Sequence, residues 1–304
     1  KGETKDLSIG SGAGNQSDAL APVEFVQEII KDAVDISPLR QAARTLQTER
    51  KQVEIPKLQG RPSAAFVGEG DNRADDTSTD FGADNGDMLV IDTHEFFVEV
   101  PVTRQMIEDA VFDVEAEVRD VVTTEMDRIQ GGKFLRGTGT GEPQGMITDT
   151  NFVSETTSDT TTDSIDAVSA DELRTLPLRL KQRYRQNGQW GVTREALRHA
   201  RTLEDSGGDY LFEPSLDAST PATIDGFEYV EMQDLVPSGT AGQGDIPFVF
   251  GDYQRAYYVV DRLQMEVIRD PYTAKSSGKI EYHFRGRCGG DLALAEAVKG
   301  IEIA

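Results

Sequence analysis

The feature that most narrows the fold is a stretch that no domain can bury, lying inside a region patterned for strands. Residues 69–87 hold six aspartates, at positions 71, 75, 76, 80, 84 and 87, with Gly70, Gly82 and Gly86 among them and Gly68 just before. On either side Val53 and Ile55 alternate with polar residues, Ala64 to Val67 form a short apolar run, and Phe96, Val98 and Val100 alternate again. Carboxylates at that density stay in water, because an unpaired buried charge is too costly to keep. The pattern predicts a long two-stranded arm whose polar tip projects from the body. A second such stretch opens the chain: residues 1–18 are rich in Gly, Ser and Asp, with almost nothing to bury. After Pro22 an amphipathic helix is expected with Val26, Ile29, Ile30 and Ala33 on one face. Ser37 and Pro38 then mark a second helix start, a capping hydroxyl followed by proline at the first helical position.

Charge excludes several classes of function. The 304 residues carry 31 basic and 54 acidic side chains, a net charge of −23 at pH 7. A sequence-reading nucleic-acid binder needs a cationic face, and a polybasic membrane anchor needs the same. No segment approaches the roughly 20 apolar residues of a membrane helix. The lone cysteine, Cys288, forbids an internal disulfide and a thiolate zinc site. Only 10 of the basic residues are lysine, and acidic residues run from end to end, the composition of a surface adapted to high salt.

The strongest helix signal follows Thr103, where Ile107, Val111, Val114, Val118, Val121 (with Val122) and Ile129 recur at steps of three and four. Asp113 can recap this helix near Phe112, and Gly131-Gly132, or one more turn, should close it. Residues 150–168, rich in threonine and acid, read as a surface loop. Ser169 and Glu172 form a capping box opening a helix through Leu173, Leu176, Leu180 and Tyr184, kinked at Pro177. A strand at 190–192, a helix over 195–203 and a Gly207-Gly208 turn follow. Strands dominate from residue 246, the last expected at 292–298.

No motif supports catalysis, a cofactor or a metal. The run Gly137-Thr138-Gly139-Thr140-Gly141 follows a helix instead of opening one, and Glu142 and Gln144 stand where a dinucleotide loop needs glycine. Gly278-Lys279 is followed by Ile280, so a phosphate loop's hydroxyl is missing. The aspartates of residues 71–87 lack the spacing and closing Glu of a calcium loop. His94, His199 and His283 sit in no ligand spacing, no Ser lies in a nucleophile elbow, and Trp190 is most simply core.

The segment Phe134-Leu135-Arg136-Gly137-Thr138-Gly139-Thr140-Gly141-Glu142-Pro143-Gln144-Gly145-Met146 resembles the best-known motif of tailed-virus major capsid proteins of the Hong Kong 97-like fold. Thr103 to Asp109 resembles the start of that family's spine-helix region, and Leu203 to Phe212 one of its turns. Gly251-Asp252-Tyr253 and Arg269-Asp270-Pro271-Tyr272 resemble its C-terminal strand pairs, all in the family's order. The resemblance implies an α+β fold with an N-terminal arm and helices over 1–46, an extended two-stranded loop over 47–100, a peripheral domain with a long spine helix from 101–150 and 262–304, and an axial α/β domain over 151–261. It implies assembly with itself as hexamers and pentamers into an icosahedral head enclosing double-stranded DNA without sequence-specific binding, and no enzymatic activity, cofactor or membrane. Portal and decoration proteins are implied as partners, with a scaffolding segment and a maturation protease that cleaves before Lys1. Glu69, Asp71, Arg73, Asp75 and Asp76, in the loop tip, are the expected contacts with a neighbouring subunit. The acidic composition suggests a haloarchaeal host. An encapsulin-type cellular compartment of the same fold is the alternative.

Overall fold

The structure, a computed structural model, describes residues 36, 38–57, 66, 88–110, 112–203 and 223–304. The expectations placed on residues 1–35, Ser37, the 69–87 tip, Val111 and the Gly207-Gly208 turn lie outside them.

The chain enters through one helical turn, α1 (Leu39–Ala42), with Pro38 itself as its N-cap. Strands β1 (Arg44–Gln47), β2 (Gln52–Pro56), β3 (Met88–Asp92) and β4 (His94–Thr103) follow. β2 pairs antiparallel with β3, setting Val53 opposite Ile91 and Ile55 opposite Leu89. Phe96, Val98 and Val100, expected in the arm, instead lie on β4, whose hydrogen-bonded partner is nearly two hundred residues away. Alternation reveals a half-buried strand but not its partner.

Two helices follow. Thr103 caps α2 (Arg104–Asp109) by accepting from the Met106 N–H, and Asp113 caps α3 (Val114–Arg136) by accepting from Glu115 and Ala116. The recapping at Asp113 is as expected, and α3 runs through Gly131-Gly132 to close a turn later. Its buried face differs. Val114, Val122 and Met126 are buried with Val118 beside them, a ridge of steps of four, whereas Val121 is 51% exposed and Ile129 39%.

Residues 150–168 are not simply a surface loop, since they contain β5 (Ser154–Thr156) and bury Ile165, Ala167 and Val168. The Ser169–Glu172 capping box opens α4 (Ala170–Thr175). The single kinked helix expected after it is three pieces: α4, a 3-10 turn at Pro177–Arg179, and α5 (Gln182–Arg185). Pro177 has no N–H to continue the ladder. Then come β6 (Gln189–Val192), α6 (Arg194–Thr202), β7 (Thr223–Ile224), β8 (Phe227–Glu231), β9 (Phe248–Gly251), α7 (Tyr253–Ala256), β10 (Tyr257–Asp270), β11 (Lys279–Leu292) and β12 (Val298–Glu302). Leu292 therefore ends β11, and a 3-10 turn at Ala295–Ala297 separates it from the last strand.

These strands build a four-stranded sheet, β1-β10-β11-β4, and a six-stranded mixed sheet, β5-β12-β9-β6-β8-β7. Val102, Ile280, Tyr282 and Phe284 of the first pack against Val114, Val122 and Met126 of α3. Gly286 admits Phe96, whose ring a Cβ there would meet at 2.4 Å. The larger core surrounds Trp190, Phe248 and Phe250 and takes in Phe134 and Leu135 from the other end of α3. Trp190 is core, its indole N–H donating to the Ile224 carbonyl at 3.1 Å. A third cluster, Leu89, Ile91, Val260 and Ala293, seats the β2–β3 hairpin on the first sheet.

The register of α3 makes adjacent valines distinguishable. Val122→Asp should cost about 3 kcal/mol or more by burying an unpaired charge, and Val121→Asp should change subunit stability by less than about 1 kcal/mol. Chemical denaturation of both variants checks this; equal losses would contradict the register.

Candidate assembly interface

The motif after α3 is a structural knot, not a ligand loop. Gly139 and Gly141 adopt φ of +75° and +74°, which side chains with a Cβ rarely adopt. The loop folds back so that Met146 and Ile147 N–H donate to the Phe134 and Leu135 carbonyls at 2.9 and 3.1 Å, satisfying the end of the helix. A Cβ on Gly145 would lie 2.4 to 2.7 Å from backbone atoms of residues 135–137, so only glycine fits. Gln144 N–H donates to the Gly290 carbonyl on β11 at 3.0 Å, and the Tyr257 hydroxyl donates to the Gln144 carbonyl at 2.6 Å. Lys133, bonded to Glu142, holds that carboxyl below the usual range. One loop thus ties the helix end to β10 and β11.

The second feature is the face of the four-stranded sheet turned away from α3. Arg287 donates Nε and Nη2 to Glu95 at 2.9 and 2.6 Å, and Arg285 does the same to Glu266 at 2.9 and 2.7 Å. His283 stands between Glu99 at 3.2 Å and Glu281 at 3.9 Å. Among these cross-strand pairs lies Phe97, opposite Arg285 and 69% exposed, with Ile268 44% exposed on the same face. Phe97 and Ile268 together leave an apolar spot on this sheet face, rimmed by charge pairs. The hairpin is two-sided likewise: Leu89 and Ile91 face the body, while Met88 and Val90 face outward, 38% and 39% exposed. Tyr272, 80% exposed, stands at the turn between β10 and β11.

Groups with chemical potential are engaged in structure. Buried His199 contacts the Val168 carbonyl through Nε2 at 2.9 Å, and Asp166 lies 3.4 Å from Nδ1. His94 stands opposite Cys288 in the β4–β11 pair. Burial pushes the Cys288 thiol up to about 12, far from a reactive thiolate. No cluster of three or more metal-ligating side chains occurs among the described residues, and no described helix is long and apolar enough to cross a membrane. The expected contact residues Glu69, Asp71, Arg73, Asp75 and Asp76 lie outside the described residues. Phe97 has no place in the sequence reading, which takes Phe96, Val98 and Val100 as the apolar alternation and leaves Phe97 on the other face, because the sequence does not tell which face of a strand a neighbour covers.

Two sheets bridged by one long helix, a seated hairpin with an outward apolar side, and a sheet face with an uncovered aromatic define a shell-forming subunit. The chain belongs to the phage capsid family, which it matches over residues 18–303. No curated protein matches the sequence. Among solved structures it is similar to the capsid of a native GTA particle, with a TM-score of 0.83 and 20% identity over 98% of this chain and 100% of that chain. The capsid of an empty GTA particle gives 0.81 and 20% over the same shares. A structure from Gordonia phage Cozz gives 0.68 and 16% over 99% of both chains. These likenesses show the Hong Kong 97-like fold. Family and fold together make this a major capsid protein, located in the virion capsid, and they favour that reading over an encapsulin.

Two variants separate folding from assembly. Tyr257→Phe removes the hydroxyl that ties the loop and should cost about 1 kcal/mol in chemical denaturation; no loss would mean the tie is idle. Phe97→Ser should leave the subunit's stability within about 1 kcal/mol of the original while lowering the yield of particles in a sedimentation assay, and an unchanged yield would contradict an interfacial Phe97.

Proposed function

We propose that this chain assembles as hexamers and pentamers whose closed head holds double-stranded DNA without reading its sequence. The match to the capsid family over residues 18–303 carries this reading. In it residues 1–46 are the N-terminal arm, 47–100 the extended loop, 101–150 with 262–304 the peripheral domain, and 151–261 the axial domain, with β4 and β12 departing from those bounds because they pair within the four-stranded and six-stranded sheets. Neighbouring copies cover the Phe97 face and the outer side of the hairpin, and Glu69, Asp71, Arg73, Asp75 and Asp76 at the loop tip meet an adjacent subunit. A net charge of −23 per subunit suits a container that must not grip its polyanionic content. Portal and decoration proteins are its other partners in this reading.

The same charge supports a high-salt setting, such as a haloarchaeal virus. Hundreds of subunits in contact repel one another unless screened. The Debye length is roughly 3 Å at about 1 M salt and roughly 30 Å at about 0.01 M, so at low salt each charge is felt across a whole subunit. Excluded salts also strengthen apolar burial, and that support vanishes on dilution. Particles dialysed into about 0.01 M monovalent salt with a chelator should lose light-scattering intensity within hours. Particles that stay intact for days would show that packing alone holds the shell and that the acidity is no salt adaptation.

A further inference from the structure

Cations are scarce in this chain, yet they gather in one segment. Residues 173–201 hold eight of the 31 basic residues beside a single acid, Glu195. They run through α4, the 3-10 turn at Pro177–Arg179, α5 and α6. Part of this charge is neutralised within the chain, since Arg179 pairs with Glu155 and Lys181 with Glu296. Arg183 is exposed and, like its neighbour Arg185, makes no ion pair among the described residues. In a chain with 54 acidic side chains, a cation left without a carboxylate is the exception.

Arg255 of α7 joins this group in space, because its guanidinium lies over the Tyr184 ring of α5, 6.0 Å from the centroid. Its Nε is 3.3 Å from Oδ2 of Asp252, whose side chain is only 4% exposed and has this arginine as its ion-pair partner among the described residues. A buried carboxylate holds its counterion firmly, because losing it would leave the charge uncompensated. The Tyr184 hydroxyl donates to Glu296, which fixes the ring beneath. Nε and the guanidinium plane are thus set, while both Nη groups have no partner among the described residues and the arginine stays 38% exposed. The result is a fork of donors oriented before anything binds. In the 3-10 turn that packs on α5, Leu178 is 67% exposed.

We infer that Arg183, Arg255 and Leu178 form a docking face for carboxylates of a second copy of this chain. The inference rests on the assembly reading and adds a contact on the larger core, outside the four-stranded sheet that carries Phe97. Charge complementarity names the occupant. A copy with 54 acidic against 31 basic residues presents mostly carboxylates to a neighbour, and a guanidinium takes a carboxylate through two parallel N–H bonds. Copies related by rotation in a ring meet through two different faces, so a cationic face on one meets an acidic face on the next. Such a contact persists in concentrated salt, because at about 1 M the screening length is roughly 3 Å, the span of the hydrogen bond itself. Double-stranded DNA also offers anions, but this face is small against a net charge of −23, which repels a polyanion.

Assembly of the full-length protein in about 1 M salt without nucleic acid, read by sedimentation, tests this. Arg183→Gln and Leu178→Ser, both on the surface, should each lower particle yield about fivefold and leave the denaturation midpoint of the subunit unchanged. Arg255→Lys keeps the charge and loses the fork, and should lower the yield to the same degree; the two surface variants carry the comparison should it fail to fold. Arg183→Lys places an amine on the face. In particles assembled from an equal mixture of light and heavy-isotope chains, a zero-length carbodiimide should couple residue 183 to an Asp or Glu of the other isotope. Full yield from both surface variants, or coupling of residue 183 only within its own chain, would overturn the docking face while leaving the assembly reading intact. A loss of yield seen only when double-stranded DNA is present would assign the face to phosphate and overturn it as well. Unaltered protein that forms no particles would overturn the assembly reading and the docking face with it.

Discussion

One helix packs into two cores, and the subunit is arranged around that sharing. The N-terminal half of α3 lays Val114, Val118, Val122 and Met126 on the four-stranded sheet, and its last turn puts Phe134 and Leu135 among the side chains around Trp190. Neither sheet can shift without moving apolar surface worth about 25 cal/mol per Å² on the other. The helix end must then be closed without leaving bare carbonyls in the core, and the loop at 137–147 does this with its own backbone, through the Met146 and Ile147 N–H groups. Gly145 is there because nothing larger fits, and Gly139 and Gly141 because the turn needs positive φ. A motif that looks like a nucleotide loop by composition thus serves a backbone hydrogen-bonding need.

What the cores leave over defines the surface. Of the two faces of the four-stranded sheet, one is dry against α3 and the other carries Arg285 and Arg287, each paired to a glutamate on a neighbouring strand, with Phe97 uncovered. Such exposed pairs contribute little stability by themselves. In the sequence, residues 204–222 hold Glu204, Asp205, Asp209, Glu213 and Asp217 and no basic residue.

Local signals in the sequence were legible where a single residue type has a local task. Asp113 as a recap, Ser169 with Glu172 as a capping box, and Trp190 as core all depend on neighbours within a few positions or on bulk alone. Tertiary choices were not. The valine ridge of α3 is set by where the sheet lies, so Val121 looked equivalent to Val122 until the sheet was in place. Phe96 to Val100 announced a strand, but its pairing with β11 is decided by contacts across the whole chain.

The claim that the surfaces left unfinished by one chain are those its neighbours finish is tested most directly by a cryo-electron microscopy map of assembled particles. The account predicts a closed icosahedral shell in which Phe97 and the outward side of the hairpin, Met88 and Val90, are covered by adjacent copies while Val122 remains against its own sheet. A shell in which the Phe97 face and the hairpin's outer side both stand in open solvent would contradict it.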